Sequence, residues 1–73
     1  MNWRNHITAD STVCHGKPCF KGTRIMVSVV LDSLAADMSI ESIITDYPSL
    51  TRPAILGALA YSSELAQDRI VAA

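Results

Sequence analysis

Cys14, His15 and Cys19, with His6 a little upstream, are the metal-ligating or nucleophilic side chains that fall in one neighbourhood of this chain. Structural zinc sites normally present two clusters of ligands, each a pair two to four residues apart. Here there is one loose cluster, so no metal is expected. Neither cysteine has a separate His–Asp arrangement to activate it as a nucleophile. No convincing acid–base pair exists elsewhere, and the phosphate-loop pattern Gly-x-x-x-x-Gly-Lys-Ser/Thr is absent. The expectation is a protein that binds rather than catalyses, with no cofactor.

Two groups of residues could bind. The first is the run Gly16 to Arg24, whose Lys17, Lys21 and Arg24 would make a basic edge for phosphate or for an acidic protein surface. The same run also has a structural reading. Gly16 and Gly22 would supply unusual backbone angles, Pro18 would stiffen the loop, and Arg24 would pair with an acidic residue of the helices. The second group is Ser49, Thr51 and Arg52, at a turn and the helix start after it. In a helix–turn–helix the second helix lies in the DNA major groove, with its N-terminal side chains on base edges and its first N–H groups near phosphate. Arg52 would then contact guanine or a phosphate.

The elements that must hold these groups follow from local signals. Trp3 to Thr8 alternates loosely, Val13 is the next apolar anchor, and both read as short strands. Gly16, Pro18 and Gly22 punctuate a loop, and Thr23 to Val27 reads as a strand leading into the first helix. Val27, Val30, Leu31 and Leu34 recur at helical spacing, placing that helix at about 28–37. Ser39 is a good N-cap for a second helix over 39–47, Glu41 suits its positive end, and Pro48 stops it. Thr51 caps a third helix with Pro53 in its first turn, running at least to about Ala66. Its apolar side reads as Ile55, Leu59, Ala66 and Ile70, with Leu56 and Ala60 beside them. Gly57 costs that helix roughly 1 kcal/mol against alanine, which suggests close packing there.

The fold expected is therefore mainly α: short N-terminal β-strands followed by a three-helix, helix–turn–helix-like bundle. Residues 1–73 form one domain, with 1–27 as a strand and loop region and 28–73 as the helical region. Ile40, Ile43, Ile44, Tyr47, Ile55 and Leu59 should be buried together against Val30, Leu31 and Leu34. Trp3 and Tyr61 read as core or dimer-interface residues.

A chain of 73 residues buries only about 60% of its unfolded surface. With 49% hydrophobic and 18% charged residues, it is too apolar for disorder and generous for a lone monomer, so a homodimer is expected. The longest apolar stretch, Ile25 to Leu31, is interrupted by Ser28 and too short to span a bilayer. The N-terminus lacks the pattern of a signal peptide, so the expected location is cytoplasmic, with both cysteines free. The net charge of −1 hides a split. Residues 1–26 carry Arg4, Lys17, Lys21 and Arg24 against Asp10, while residues 27–73 carry Arg52 and Arg69 against six acids.

The run Gly16-Lys17-Pro18-Cys19-Phe20-Lys21-Gly22-Thr23-Arg24-Ile25-Met26-Val27 closely resembles the Gly-Lys-Pro…Gly-Thr-Arg-Ile-Pro-Val signature of the domain of unknown function 433 family. Tyr47-Pro48-Ser49-Leu50-Thr51, followed by Ala58-Leu59-Ala60-Tyr61, is similar to that family's second block. The resemblance covers roughly residues 5–65. Members are regarded as antitoxins of prokaryotic toxin–antitoxin pairs, similar in role to VapB-type antitoxins. Their helical part is helix–turn–helix-like, and their usual neighbours are PIN-like ribonuclease toxins. The resemblance implies a dimeric DNA-binding antitoxin that neutralises such a toxin and represses its own operon. The rival expectation is a protein-interaction module that does not touch DNA. Two departures stand out: Met26 occupies the usual proline position, and Arg52-Pro53-Ala54 replaces a more acidic first turn.

Overall fold

The computed structural model describes residues 2–9 and 14–68. Its helices begin and end where local hydrogen bonding dictates. Helix α1 (Val27–Ala35) closes with Asp37 in the left-handed region at φ 68°, a place glycine usually takes. The Met38 N–H reaches back to the Ser33 carbonyl at 3.0 Å and satisfies one of the orphan acceptors of the last turn. Helix α2 (Ile40–Asp46) starts at Ser39, whose hydroxyl accepts the Ser42 N–H at 3.1 Å. It stops at Tyr47, held at φ −127° and ψ 78° ahead of Pro48. Helix α3 (Arg52–Asp68) opens at Thr51, whose Oγ1 accepts the Ala54 N–H at 3.2 Å. The three helices and both caps match the sequence expectation, with boundaries moved by one or two residues.

The N-terminal part departs further from it. Trp3–Asn5 is a 3-10 turn capped by Asn2, which accepts the Arg4 N–H at 3.1 Å. The strand expected over 3–8 therefore shrinks to β1 (Ile7–Thr8). Its partner, β2 (Cys19–Phe20), lies inside the stretch expected to be loop. The two pair antiparallel, Ile7 with Phe20 and Thr8 with Cys19. The strand expected over 23–27 survives only as a bridge between Met26 and Cys19. The expected anchor Val13 and the core position Ile70 lie outside the described residues.

Beneath the small sheet, Ile7, Phe20, Val27, Val30, Ile43, Leu50, Ala54, Ile55 and Ala58 form one buried cluster. Ile40, Ile44, Tyr47, Leu31 and Leu34 pack against it partly buried, as expected. Leu59 does not join them: it is 41% exposed. Ala66 is exposed as well. The inward stripe of α3 is Ala54, Ile55, Ala58 and Tyr61, so the helix is turned away from the orientation that its large side chains suggested. Alanine and glycine lie on the inner side because α3 approaches its neighbours closely. Gly57 is buried, and a Cβ placed there would sit 3.4 Å from the His6 ring, which meets the expectation of close packing.

Candidate functional site

The basic run folds as a tight hairpin. Phe20 N–H donates to the Ile25 carbonyl and Val27 N–H to the Pro18 carbonyl, both at 3.0 Å. Thr23 N–H closes the turn on the Phe20 carbonyl at 3.0 Å, with Gly22 at φ 77° in the third position. That φ is the requirement of a type II turn. The Thr23 hydroxyl then serves twice: it donates to the Phe20 carbonyl at 2.9 Å and accepts from the Ile25 N–H at 3.0 Å. Gly-Thr in the signature is thus a turn-building pair. A hydroxyl residue directly after a turn glycine was the available clue to it.

Ahead of the hairpin, Cys14, His15 and Gly16 occupy the left-handed region in succession, at φ 52°, 54° and 78°. The turn closes with the Lys17 N–H on the Cys14 carbonyl at 3.0 Å. The unusual angles expected at Gly16 and Gly22 are present, and Cys14 and His15 share them without any local residue signal for it. Cys14 Sγ lies 3.4 Å from the Arg24 carbonyl oxygen and Cys19 Sγ 3.8 Å from that of Thr23. Among the described residues no three His, Cys, Asp or Glu side chains gather as a metal site.

Lys17, Lys21 and Arg24 are all exposed. The ion pair expected between Arg24 and a helical acid does not form among the described residues. Lys17 lines a cleft with Tyr61 and Leu65, on the far half of α3. Those positions lie about 14–20 Å along the helix axis from Arg52, at 1.5 Å per residue. The fold therefore does not bring Lys17 alongside Arg52.

Ser49, Thr51 and Arg52 stand exposed together where α3 begins. Arg52 Nη1 is 3.1 Å from Glu41 Oε1, an ion pair linking the first turns of α2 and α3. Both side chains remain largely in solvent, at 57% and 75% exposure, so water screens the pair. Past Arg52, the same outward face of α3 carries Leu56 and Leu59, at the i+4 and i+7 positions. They are 37% and 41% exposed. This outward apolar ridge departs from the sequence expectation, because helical spacing of large aliphatic residues points to the core.

At the other end of the chain, Trp3 and Arg4 clasp α3. Trp3 Nε1 donates to Glu64, Arg4 lies 3.7 Å from the same carboxylate, and the Arg4 guanidinium sits 4.4 Å above the Trp3 ring. Trp3 also meets Tyr61, so both aromatics are structural here, as expected.

These features define a small, mainly helical domain: a short antiparallel sheet set against three capped helices, with exposed basic and apolar surfaces. No helix among the described residues is long and apolar enough to cross a membrane. The chain belongs to the DUF433 family, described as a protein of unknown function, whose profile matches residues 7–62. No curated protein and no solved structure matches the chain significantly. The matched segment contains the hairpin, the three helix starts and the ridge, while the Trp3–Glu64 clasp joins the two sequences that flank it.

Proposed function

We propose that this chain is a non-enzymatic, protein-binding module of the antitoxin type, which occludes a ribonuclease partner through the outward face of α3. The observation that carries the reading is the exposure of Leu56 and Leu59 on the helix that a DNA-binding protein would lay in the major groove. Base edges are read mainly by hydrogen-bonding side chains. Beyond Arg52, this face offers two leucines instead. Two neighbouring leucines on that face suit an apolar protein contact better than a base edge. The class of partner, a PIN-like ribonuclease, comes from what the family resemblance implies.

A second reading, operator binding and repression, has one observation in its favour. Ser49, Thr51 and Arg52 are exposed together at the start of α3. A net charge of −1 gives little non-specific attraction to DNA, and Arg52 would have to leave Glu41 to reach it.

One experiment separates the two. The chain is co-expressed with the product of the adjacent reading frame, and ribonuclease activity is assayed with and without it. DNA affinity is titrated in parallel on its own upstream sequence at fixed salt. Replacing both Leu56 and Leu59 with aspartate should abolish inhibition, while Arg52→Ala should leave it intact. An Arg52→Ala variant that loses about 1–3 kcal/mol of promoter binding, together with full inhibition by the leucine variant, would replace the first reading with the second.

A further inference from the structure

The turn Trp3–Asn5 is tied to the helices by side chains alone. Its backbone bonds stay inside residues 2–6: Arg4 N–H on Asn2 Oδ1 at 3.1 Å, Asn5 N–H on the Asn2 carbonyl at 3.2 Å, and His6 N–H on the Trp3 carbonyl at 2.9 Å. The first backbone bond to another element comes at the His6 carbonyl, which accepts the Lys21 N–H at 2.9 Å. No residue of the turn is fully buried. What holds it down is a hook on one carboxylate. Trp3 Nε1–H and the Arg4 guanidinium both take Glu64, while the Trp3 ring meets Tyr61 edge to face. Arg4 and Glu64 keep 65% and 46% of their side chains in solvent, so water screens their ion pair. The family profile spans residues 7–62, and Trp3, Arg4 and Glu64 all fall outside it.

We propose that residues 2–5 form a strap that swings off α3 about His6 while the domain beneath stays folded, baring Tyr61 and Glu64. Lifting the turn breaks its side-chain contacts with α3 and no backbone bond of the sheet or the helices. The buried cluster of Ile7, Phe20, Val30, Ile43 and Ile55 has no member in the strap; Trp3 packs only against its edge. A segment held by few buried contacts and no shared backbone bonds opens at a lower free energy than the whole domain. What the opening uncovers is defined. Tyr61 is half-buried, and besides meeting Trp3 it walls a cleft with Pro18, Leu31 and Leu65. Opening adds the freed Tyr61 ring and the Glu64 carboxylate to that surface. The strap is thus a cover over one stretch of α3, closed at rest and released at the hook. The hook holds Tyr61 and Glu64, not the Leu56–Leu59 ridge, so the strap works whatever the ridge binds.

Trp3 is the sole tryptophan, so its indole N–H gives one resonance whose hydrogen exchange reports the hook. The full chain is exchanged at a series of urea concentrations below its unfolding transition, beside Glu64→Ala and Ile43→Val. The Trp3 indole should exchange faster than the Val30 and Ile55 amides and with little dependence on urea, because a local opening exposes little surface. Glu64→Ala should speed indole exchange about tenfold or more, the worth of a hydrogen bond to a charged group. Far-UV circular dichroism should show its helices intact, since alanine suits a helix surface. Ile43→Val weakens the core that the closed and open forms share. It should speed the Val30 and Ile55 amides by roughly two- to tenfold and leave the indole rate unchanged. An indole that follows the urea slope of the Ile55 amide, or speeds up with Ile43→Val, opens only with the whole domain and overturns the proposal. So does a Glu64→Ala variant whose indole exchanges at the wild-type rate.

Discussion

Trp3 and Tyr61 meet edge to face, with ring centroids 4.8 Å apart and planes at 71°. This pair, with the Trp3–Glu64 hydrogen bond, fastens the N-terminal turn to a helix 58 to 61 positions further along the chain. Aromatic pairs of this geometry are worth about 0.5–1.5 kcal/mol beyond their buried area. Trp3→Ala should therefore lower stability by about 2–3 kcal/mol, once lost burial is included. Urea unfolding followed by circular dichroism measures it, and a change below about 0.5 kcal/mol would show that the clasp is ornamental.

Thr23→Ala removes a hydroxyl that makes two hydrogen bonds in the hairpin turn. The expected loss is about 1–2 kcal/mol, at roughly 1 kcal/mol per bond. Thr23→Ser keeps the hydroxyl and should recover most of it. Equal destabilisation by the two variants would point to the methyl group as the stabilising part.

Gly22 and Gly57 should respond in opposite directions to alanine. At Gly22 nothing stands within 4 Å of a built Cβ, but φ is 77°, so the backbone resists the substitution. A cost of about 1 kcal/mol is expected. Gly57 lies in the middle of α3, and its built Cβ meets the His6 ring at 3.4 Å, an ordinary contact. Gly57→Ala should stabilise by roughly 0.5–1 kcal/mol through helix propensity. Thermal melts of the two variants decide it, and a destabilised Gly57→Ala would mean that the His6 contact has no slack.

Met26→Pro should restore the family's usual residue without strain. Met26 has φ −71° and ψ 140°, within reach of the proline ring. The hairpin bonds on either side of it come from the Phe20 and Val27 N–H groups, so no ladder donor at Met26 is lost among the described residues. The gain should be about 0.4–1 kcal/mol, through a less mobile unfolded chain. A lower denaturation midpoint for the variant would refute this.

Much of the helical part was legible because its signals are local. Ser39 and Thr51 each satisfy an N–H three residues ahead, and Pro48 restricts the residue just before it. No tertiary contact is needed for these effects, so the sequence by itself determined three helices and their starts. Gly16 and Gly22 were legible for the same reason, as residues with little steric cost at positive φ.

The buried faces of α1 and α2 follow their apolar spacing, but the face that α3 buries was decided only by the tertiary structure. By hydrophobicity alone, Leu56 and Leu59 outrank Ala54, Gly57 and Ala58 for the core. The fold placed these small residues, with Ile55, on the inner side, where α3 runs close enough that a Cβ at Gly57 would already touch the His6 ring. β2 was hidden in a glycine- and proline-rich run because two residues are too few to show a period. Their pairing with β1 buries Cys19 and Phe20. The Arg52–Glu41 and Trp3–Glu64 contacts span 11 and 61 positions. Such pairs depend on how the helices cross, a property of packing that local propensity does not encode.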